Sequence, residues 1–289
     1  MLRETLPALT PAEWDDFIRQ SLNQGTAGLT CQRLLDDAGP LLPPEVAAAC
    51  RSYLAASAAA FAQGLRELRA ALAALAEAAI PAVPFKGPGL AAQIYPHPAL
   101  ARFRDLDLLV PPPRHEAALA VLESLGYRSD VGDLSPWARR AYHRYNGQDI
   151  LFAPERLPVE PHWALAPRTF GPAPAVAPML ARAVPRPAPN GAPLPSLTPE
   201  DTLLVAALHG AKEEWARLIW IADIAAILAA WPGLDAETLL ARARGCGCRR
   251  MVALAVLLAG TLLGAPVPAP LAAAADRAAH DLARRVRDR

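Results

Sequence analysis

At 289 residues, 53% hydrophobic and 20% charged, the chain is long enough for one large domain or two small ones and can bury a core. Its net charge of +1 excludes the strong field of a protein that grips long nucleic acid or an anionic membrane through many cations.

Residues 1–80 are expected to be helical. Thr10-Pro11-Ala12-Glu13 reads as an N-cap followed by proline and an acid in the first turn. The Ala- and Leu-rich run from Pro44 to Ala79 predicts one long helix or two, broken at Ile80-Pro81. The character then changes. Short strands are predicted over Val83 to Phe85, Arg104 to Val110, Tyr127 to Val131, Gln148 to Ala153 and Leu157 to Trp163. Helices are predicted over Gly89 to Tyr95, Arg114 to Leu125 with Gly126 closing it, and Ser135 to Tyr145. This alternation predicts an α+β fold with a small mixed-sheet core at 81–165. Residues 166–199 are dense in proline and read as a stiff connection. Residues 200–289 return to helix, at about 201–215, 217–230, 235–245 and 251–263. The last of these is apolar but short of the ~20 residues that span a bilayer, so a buried helix and no membrane partner are expected. The tail reads as a solvated helix end.

No basic-then-apolar leader with a cleavage site opens the chain. Cys31, Cys50, Cys246 and Cys248 form no C-x-x-C pair and read as free thiols, and a cytoplasmic location is expected.

The chemistry is concentrated between Pro84 and Val110. Asp105 and Asp107, two apart on a strand, share a face, with Leu106 and Leu108 on the other. Paired carboxylates of this kind suit Mg²⁺, a hard ion held by carboxylates and substrate phosphates. Lys86-Gly87, at the end of the preceding strand and the start of a helix, is where backbone N–H groups and a cation would grip phosphate. Glu160 and His162 share a strand face, although Pro161 between them is awkward inside a strand. Lys86 and Lys212 are the chain's only lysines, which suggests sites that need a compact ammonium. His209 and Lys212 are neighbours on one helical face, while Trp215, Leu218 and Ile219 have core spacing. Asp223 sits among apolar residues and is expected to meet a cation, Arg217 or Lys212, or a helix terminus.

The ordered set F-K-G-x-x-L-x-x-x-x-Y, R-D-L-D-L-L-V, G-Y, V-E-x-H-W and H-G-A-K-x-x-W-x-x-L-x-W-x-x-D resembles a bacterial family of uncharacterised-type nucleotidyltransferases in the polymerase-beta-like superfamily. The resemblance runs from about residue 60 to 230. It implies a nucleotidyltransferase core flanked by helical regions, using Mg²⁺ or Mn²⁺ and an NTP. Asp105, Asp107 and Glu160 would be the catalytic, metal-binding carboxylates. Lys86, Gly87, Arg104, His162, His209 and Lys212 would contact NTP or substrate, and His143, His162 and His209 are the titratable groups nearest these motifs. The implied reaction moves NMP to an unidentified small-molecule, peptide or carrier-linked acceptor and releases pyrophosphate by two-metal chemistry. The chain departs from the superfamily pattern at Pro88 after Gly87, at the 18-position gap from Gly87 to Asp105, and at Pro161. The competing readings are a non-catalytic nucleotide or peptide binder on this fold and a D-x-D glycosyltransferase.

Overall fold

The computed structural model describes residues 9–288. The first eight residues of the expected N-terminal helical region lie outside the described residues. Helix α1 (Pro11–Asn23) opens with the expected cap: Thr10 and Glu13 satisfy each other's backbone N–H groups in a capping box. Helices α2 (Ala27–Ala38) and α3 (Pro44–Glu77) follow. Trp14, Cys31, Leu34 and Cys50 form a small separate core where α1, α2 and the start of α3 meet. All four cysteines are free thiols.

The sheet core follows α3. Strand β1 (Val83–Pro84) leads into helix α4 (Gly87–Ile94), then β2 (Leu106–Leu109), helix α5 (His115–Ser124), β3 (Arg128–Ser129), helix α6 (Pro136–Asn146), β4 (Leu151–Phe152) and β5 (Val159–His162). The order is β1-β2-β5-β4-β3, with β2 and β5 parallel and the other pairings antiparallel, which makes the sheet mixed. Leu106, Leu108, Leu109, Leu122 and Leu151 are fully buried between the sheet and its helices. Each contributes about 1.5–3 kcal/mol by leaving water.

Pro161 lies in β5, the central strand, where proline normally removes a ladder bond. Its carbonyl accepts from Asp149 on the β4 side, and there the ladder is interrupted between the Leu151↔Val159 pair and the isolated Gln148↔His162 bridge. Proline is tolerated at this gap in the ladder, where the β4–β5 register carries through unshifted, and the parallel register with β2 is intact.

The proline-rich stretch carries structure of its own: helix α7 (Val176–Arg182) and a hairpin of β6 (Val184–Arg186) with β7 (Leu194–Ser196). Its strands are short and proline interrupts their alternation, so the pattern was invisible in sequence. Helices α8 (Pro199–Lys212), α9 (Leu218–Ala230), α10 (Ala236–Gly245), α11 (Arg249–Leu263), α12 (Ala269–Ala272) and α13 (Arg277–Arg287) complete the chain. Helix α11 is buried as expected, and among the described residues no helix is long and apolar enough to cross a membrane. Helix α8 stops at Lys212, three residues short of expectation. Glu214 and Trp215 take left-handed backbone (φ 53° and 56°), and Trp215 folds back onto Gly210, whose missing Cβ makes room for the ring.

One apolar core joins the sheet to the C-terminal helices. The α1–α2 turn also reaches them: Gln24 accepts the N–H of Leu218 through its side chain and that of Ile219 through its carbonyl. These are orphan donors of the first turn of α9, so the bonds cap α9 while closing one rim of a cleft.

Candidate active site

Between the sheet core and helices α8 and α9 lies a cleft of about 800 Å³. Register explains how sequence-distant residues meet there. Strand β1 runs antiparallel to β2, with Val83 opposite Leu109 and Pro84 opposite Leu108. One residue further, Phe85 N–H donates to the Asp107 carbonyl. Lys86 and Gly87 therefore cross beside Asp105–Asp107, which closes the 18-position gap. Gly87 has φ +59°, and a Cβ there would lie 2.9 Å from the Asp105 carbonyl oxygen. Gly87→Ala is expected to cost about 2 kcal/mol or more in urea unfolding, from left-handed strain plus that clash.

Asp107 is 1% exposed and carries the densest contacts. Lys86 Nζ lies 2.8 Å from its Oδ1 and His162 Nε2 lies 3.0 Å from the same atom. Its Oδ2 is buried with no hydrogen-bond partner among the described residues. Burial raises the Asp107 pKa, but Lys86 and His162 outweigh it and hold the carboxyl well below the usual range. Glu160, paired with Asp107 across the β2–β5 ladder, lies 3.6 Å from His162 Nε2 and accepts from Gln148 at 3.3 Å. Ligand atoms of Asp107, Glu160 and His162 all fall within 4.8 Å of one another. Asp105 is not in that set. It sits just before β2, half-buried on the same cleft wall, and burial together with the Asp107 charge pushes it up to about 7.

The rest of the lining is cationic and aromatic. His209 and Lys212 come from α8, Arg217 and Trp220 from the start of α9, and Arg102 and Arg104 from the loop before β2. Both lysines of the chain thus line one cleft. Lys86 is held protonated: burial pulls its pKa down, but Asp107, Asp105 and Glu160 raise it further. Lys212 is lowered by burial and by Lys86. Burial, then Lys86 and Lys212, push His209 down to about 3, and its ring meets Trp220 edge-on at 5.6 Å. In an imidazole NMR titration His209 is expected to stay neutral at about pH 5, where an ordinary histidine is protonated. Its depressed pKa also means that the folded state loses stability as pH falls from the ordinary histidine range toward 3. His209→Gln should flatten that part of the unfolding profile.

The cleft thus brings together Lys86, Gly87, Arg104, Asp105, Asp107, Glu160, His162, His209 and Lys212. Two expectations need correction. His143 does not line the cleft; it is buried and bonds Asp149 at 2.9 Å, where Ser129 also donates, so it ties α6 to β3 and β4. Asp223 meets no cation among the described residues: the Tyr95 hydroxyl donates to it at 2.6 Å, and burial pushes it up to about 6. Tyr95 and Asp223 line the same cleft, as do Arg217 and Trp220. The only sequence signal for this pair was an acid whose burial needed a partner; a neutral phenol 128 positions away serves.

Residues 10–264 match the model of a family described as uncharacterised nucleotidyltransferase. The chain belongs to this family. Family membership makes it a transferase and sets aside the D-x-D glycosyltransferase reading. No curated protein matches it. Among solved structures it is similar to a solution structure of the antibiotic-resistance factor ANT(2'')-Ia, at 17% identity over 64% of this chain and 94% of that one, with a TM-score of 0.42. It is similar also to a crystal structure of ANT(2")-Ia in complex with adenylyl-2"-tobramycin, at 17% identity over 62% and 94%, with a TM-score of 0.42. The small mixed sheet with helical flanks is the fold of this uncharacterised nucleotidyltransferase.

Proposed function

We propose that this chain is a nucleotidyltransferase of the polymerase-beta-like type that moves NMP from an NTP to a small-molecule or peptide acceptor and releases pyrophosphate. The observation that carries this reading is the buried Asp107, with one oxygen lacking a partner, beside Glu160 and His162 in a cation-lined cleft. Hard oxygen donors with one imidazole suit Mg²⁺ or Mn²⁺. Asp107, Glu160 and Asp105 would hold the ion, with His162 as a ligand or as the group that orients Asp107. When bound, the metal would supply electrophilic stabilisation of phosphate charge.

The chain's own residues do the rest. Lys86, Lys212, Arg104 and Arg217 would meet the triphosphate charge, and Gly87 at the start of α4 lines the same cleft, where its N–H would add to the grip. Pro88 offers no N–H, so the side-chain cations carry more of this grip. Trp220 offers a flat face for a base or a sugar. The acceptor hydroxyl attacks the α-phosphorus, the bond from the α-phosphorus to the bridging oxygen breaks, pyrophosphate leaves, and Glu160 takes the proton. A cleft of about 800 Å³ suits one nucleotide and a small acceptor.

The test is labelled NTP offered with an acceptor panel. Mg²⁺-dependent pyrophosphate is expected, and Asp105→Asn with Asp107→Asn should abolish it; unchanged turnover in that double variant rejects the reading. A non-catalytic binder is the second reading, favoured by Pro88 and by the Lys86–Asp107 pair. It predicts NTP binding by calorimetry with no pyrophosphate for any acceptor.

A further inference from the structure

We propose that Lys86 is the resident counter-ion of the acidic site and makes it select a metal–triphosphate complex over a free divalent ion. The inference rests on the metal–nucleotide reading above and deepens it. Lys86 Nζ stands 2.8 Å from Asp107 Oδ1, on the oxygen that also meets His162. The groups around its charge are Asp105 and Asp107 at β2, Glu160 on β5, and His209 and Lys212 on α8. A free divalent ion that reaches Asp107 and Glu160 meets an ammonium already on the same carboxylate, at a site shielded from water, where like-charge repulsion is strong.

A triphosphate changes this balance. Its oxygens give the ammonium a second destination. The Lys86 side chain is 24% exposed and on a flexible stem, so it moves by rotation without disturbing β1 or α4. Metal and nucleotide then bind with positive coupling, each raising affinity for the other. Lys86 would thereby keep the acidic site from filling with metal when no nucleotide is present.

The experiment measures free Mn²⁺ by electron paramagnetic resonance, without nucleotide, in wild type, Lys86→Gln and Lys86→Arg. Glutamine removes the charge and keeps a hydrogen-bond donor for Asp107. Lys86→Gln is expected to bind Mn²⁺ roughly 10-fold more tightly than wild type. Lys86→Arg should match wild type, and Asp107→Asn in the glutamine background should cancel the gain. Equal or weaker binding by Lys86→Gln overturns the proposal while leaving the metal-site reading in place. No Mn²⁺ bound by any of these proteins, even with a non-hydrolysable triphosphate, overturns the underlying reading and the proposal with it. If Lys86→Gln does not fold, wild type answers alone, because ¹⁵N-lysine labelling gives signals from only Lys86 and Lys212. Mg²⁺ with triphosphate should move the Lys86 signal and Mg²⁺ alone should not; an equal movement by Mg²⁺ alone overturns the proposal.

Discussion

Asp107→Asn is expected to lower pyrophosphate release by roughly 1,000-fold, about 4 kcal/mol of barrier. Asparagine keeps the shape of the side chain, and its carbonyl oxygen still accepts from Lys86 or His162. What it removes is the negative charge in a site that is 1% exposed, where charge acts at short range and water does not screen it. The unpartnered Oδ2 becomes an amide that cannot meet a cation. Lys86 loses its counter-ion but reaches solvent by rotation, so the fold should survive with a smaller loss than a fully trapped charge would bring. Steady-state kinetics should show the fall mainly in turnover, with a smaller change in triphosphate affinity, because Lys212, Arg104 and Arg217 are intact. Glu160→Gln, at a half-buried position whose neighbour Gln148 can rearrange, is expected to do less.

The second large effect is on stability. Asp201→Ala should lower unfolding free energy by about 3–5 kcal/mol in urea titration. Asp201 is fully buried in the first turn of α8, and Arg182 grips it with two bonds of 2.9 and 3.0 Å. Arg242 approaches the same carboxylate at 3.0 Å, so one acid pins α7 and α10 to the start of α8. Removing it leaves Arg182 without its carboxylate and Arg242 with only Glu200 at 3.8 Å and the Thr198 hydroxyl. The exposed Arg250–Asp276 pair has the same chemistry at its surface position, with side chains 59% and 41% exposed, and its loss should be felt far less. A loss below about 1 kcal/mol for Asp201→Ala would mean that α7 and α10 are held by apolar packing alone.

Local signals carried much of this fold. Thr10 with Glu13 specified a cap whose partners are within one turn, and the structure forms it. The long helix before Pro81 and the buried helix α11 were equally readable, because each depends on spacing along one element. Register was not readable. Sequence does not say that β1 runs antiparallel against β2, yet that pairing puts Lys86 on Asp107. For the same reason the β2–β5 ladder, which sets Glu160 beside Asp107 and brings His162 to it, had to be seen. Spacing points to Lys86 as a phosphate cation and leaves no trace of the carboxylate on which its ammonium rests. Helix α8 ended early because two residues entered left-handed backbone to seat Trp215, a tertiary choice that overrides local helix propensity. Asp223 found a phenol because the fold offered Tyr95 at hydrogen-bond distance, and long-range partners of this kind leave no trace in spacing.

The central claim is that this cleft holds a divalent metal and a nucleoside triphosphate together. It is tested most directly by anomalous diffraction from crystals grown with Mn²⁺ and a non-hydrolysable triphosphate. The expected result is a manganese peak against Asp107 and Glu160, with the phosphates extending toward Lys86 and Lys212. A triphosphate bound in the cleft without manganese on Asp107, or manganese found only elsewhere on the molecule, would contradict the account.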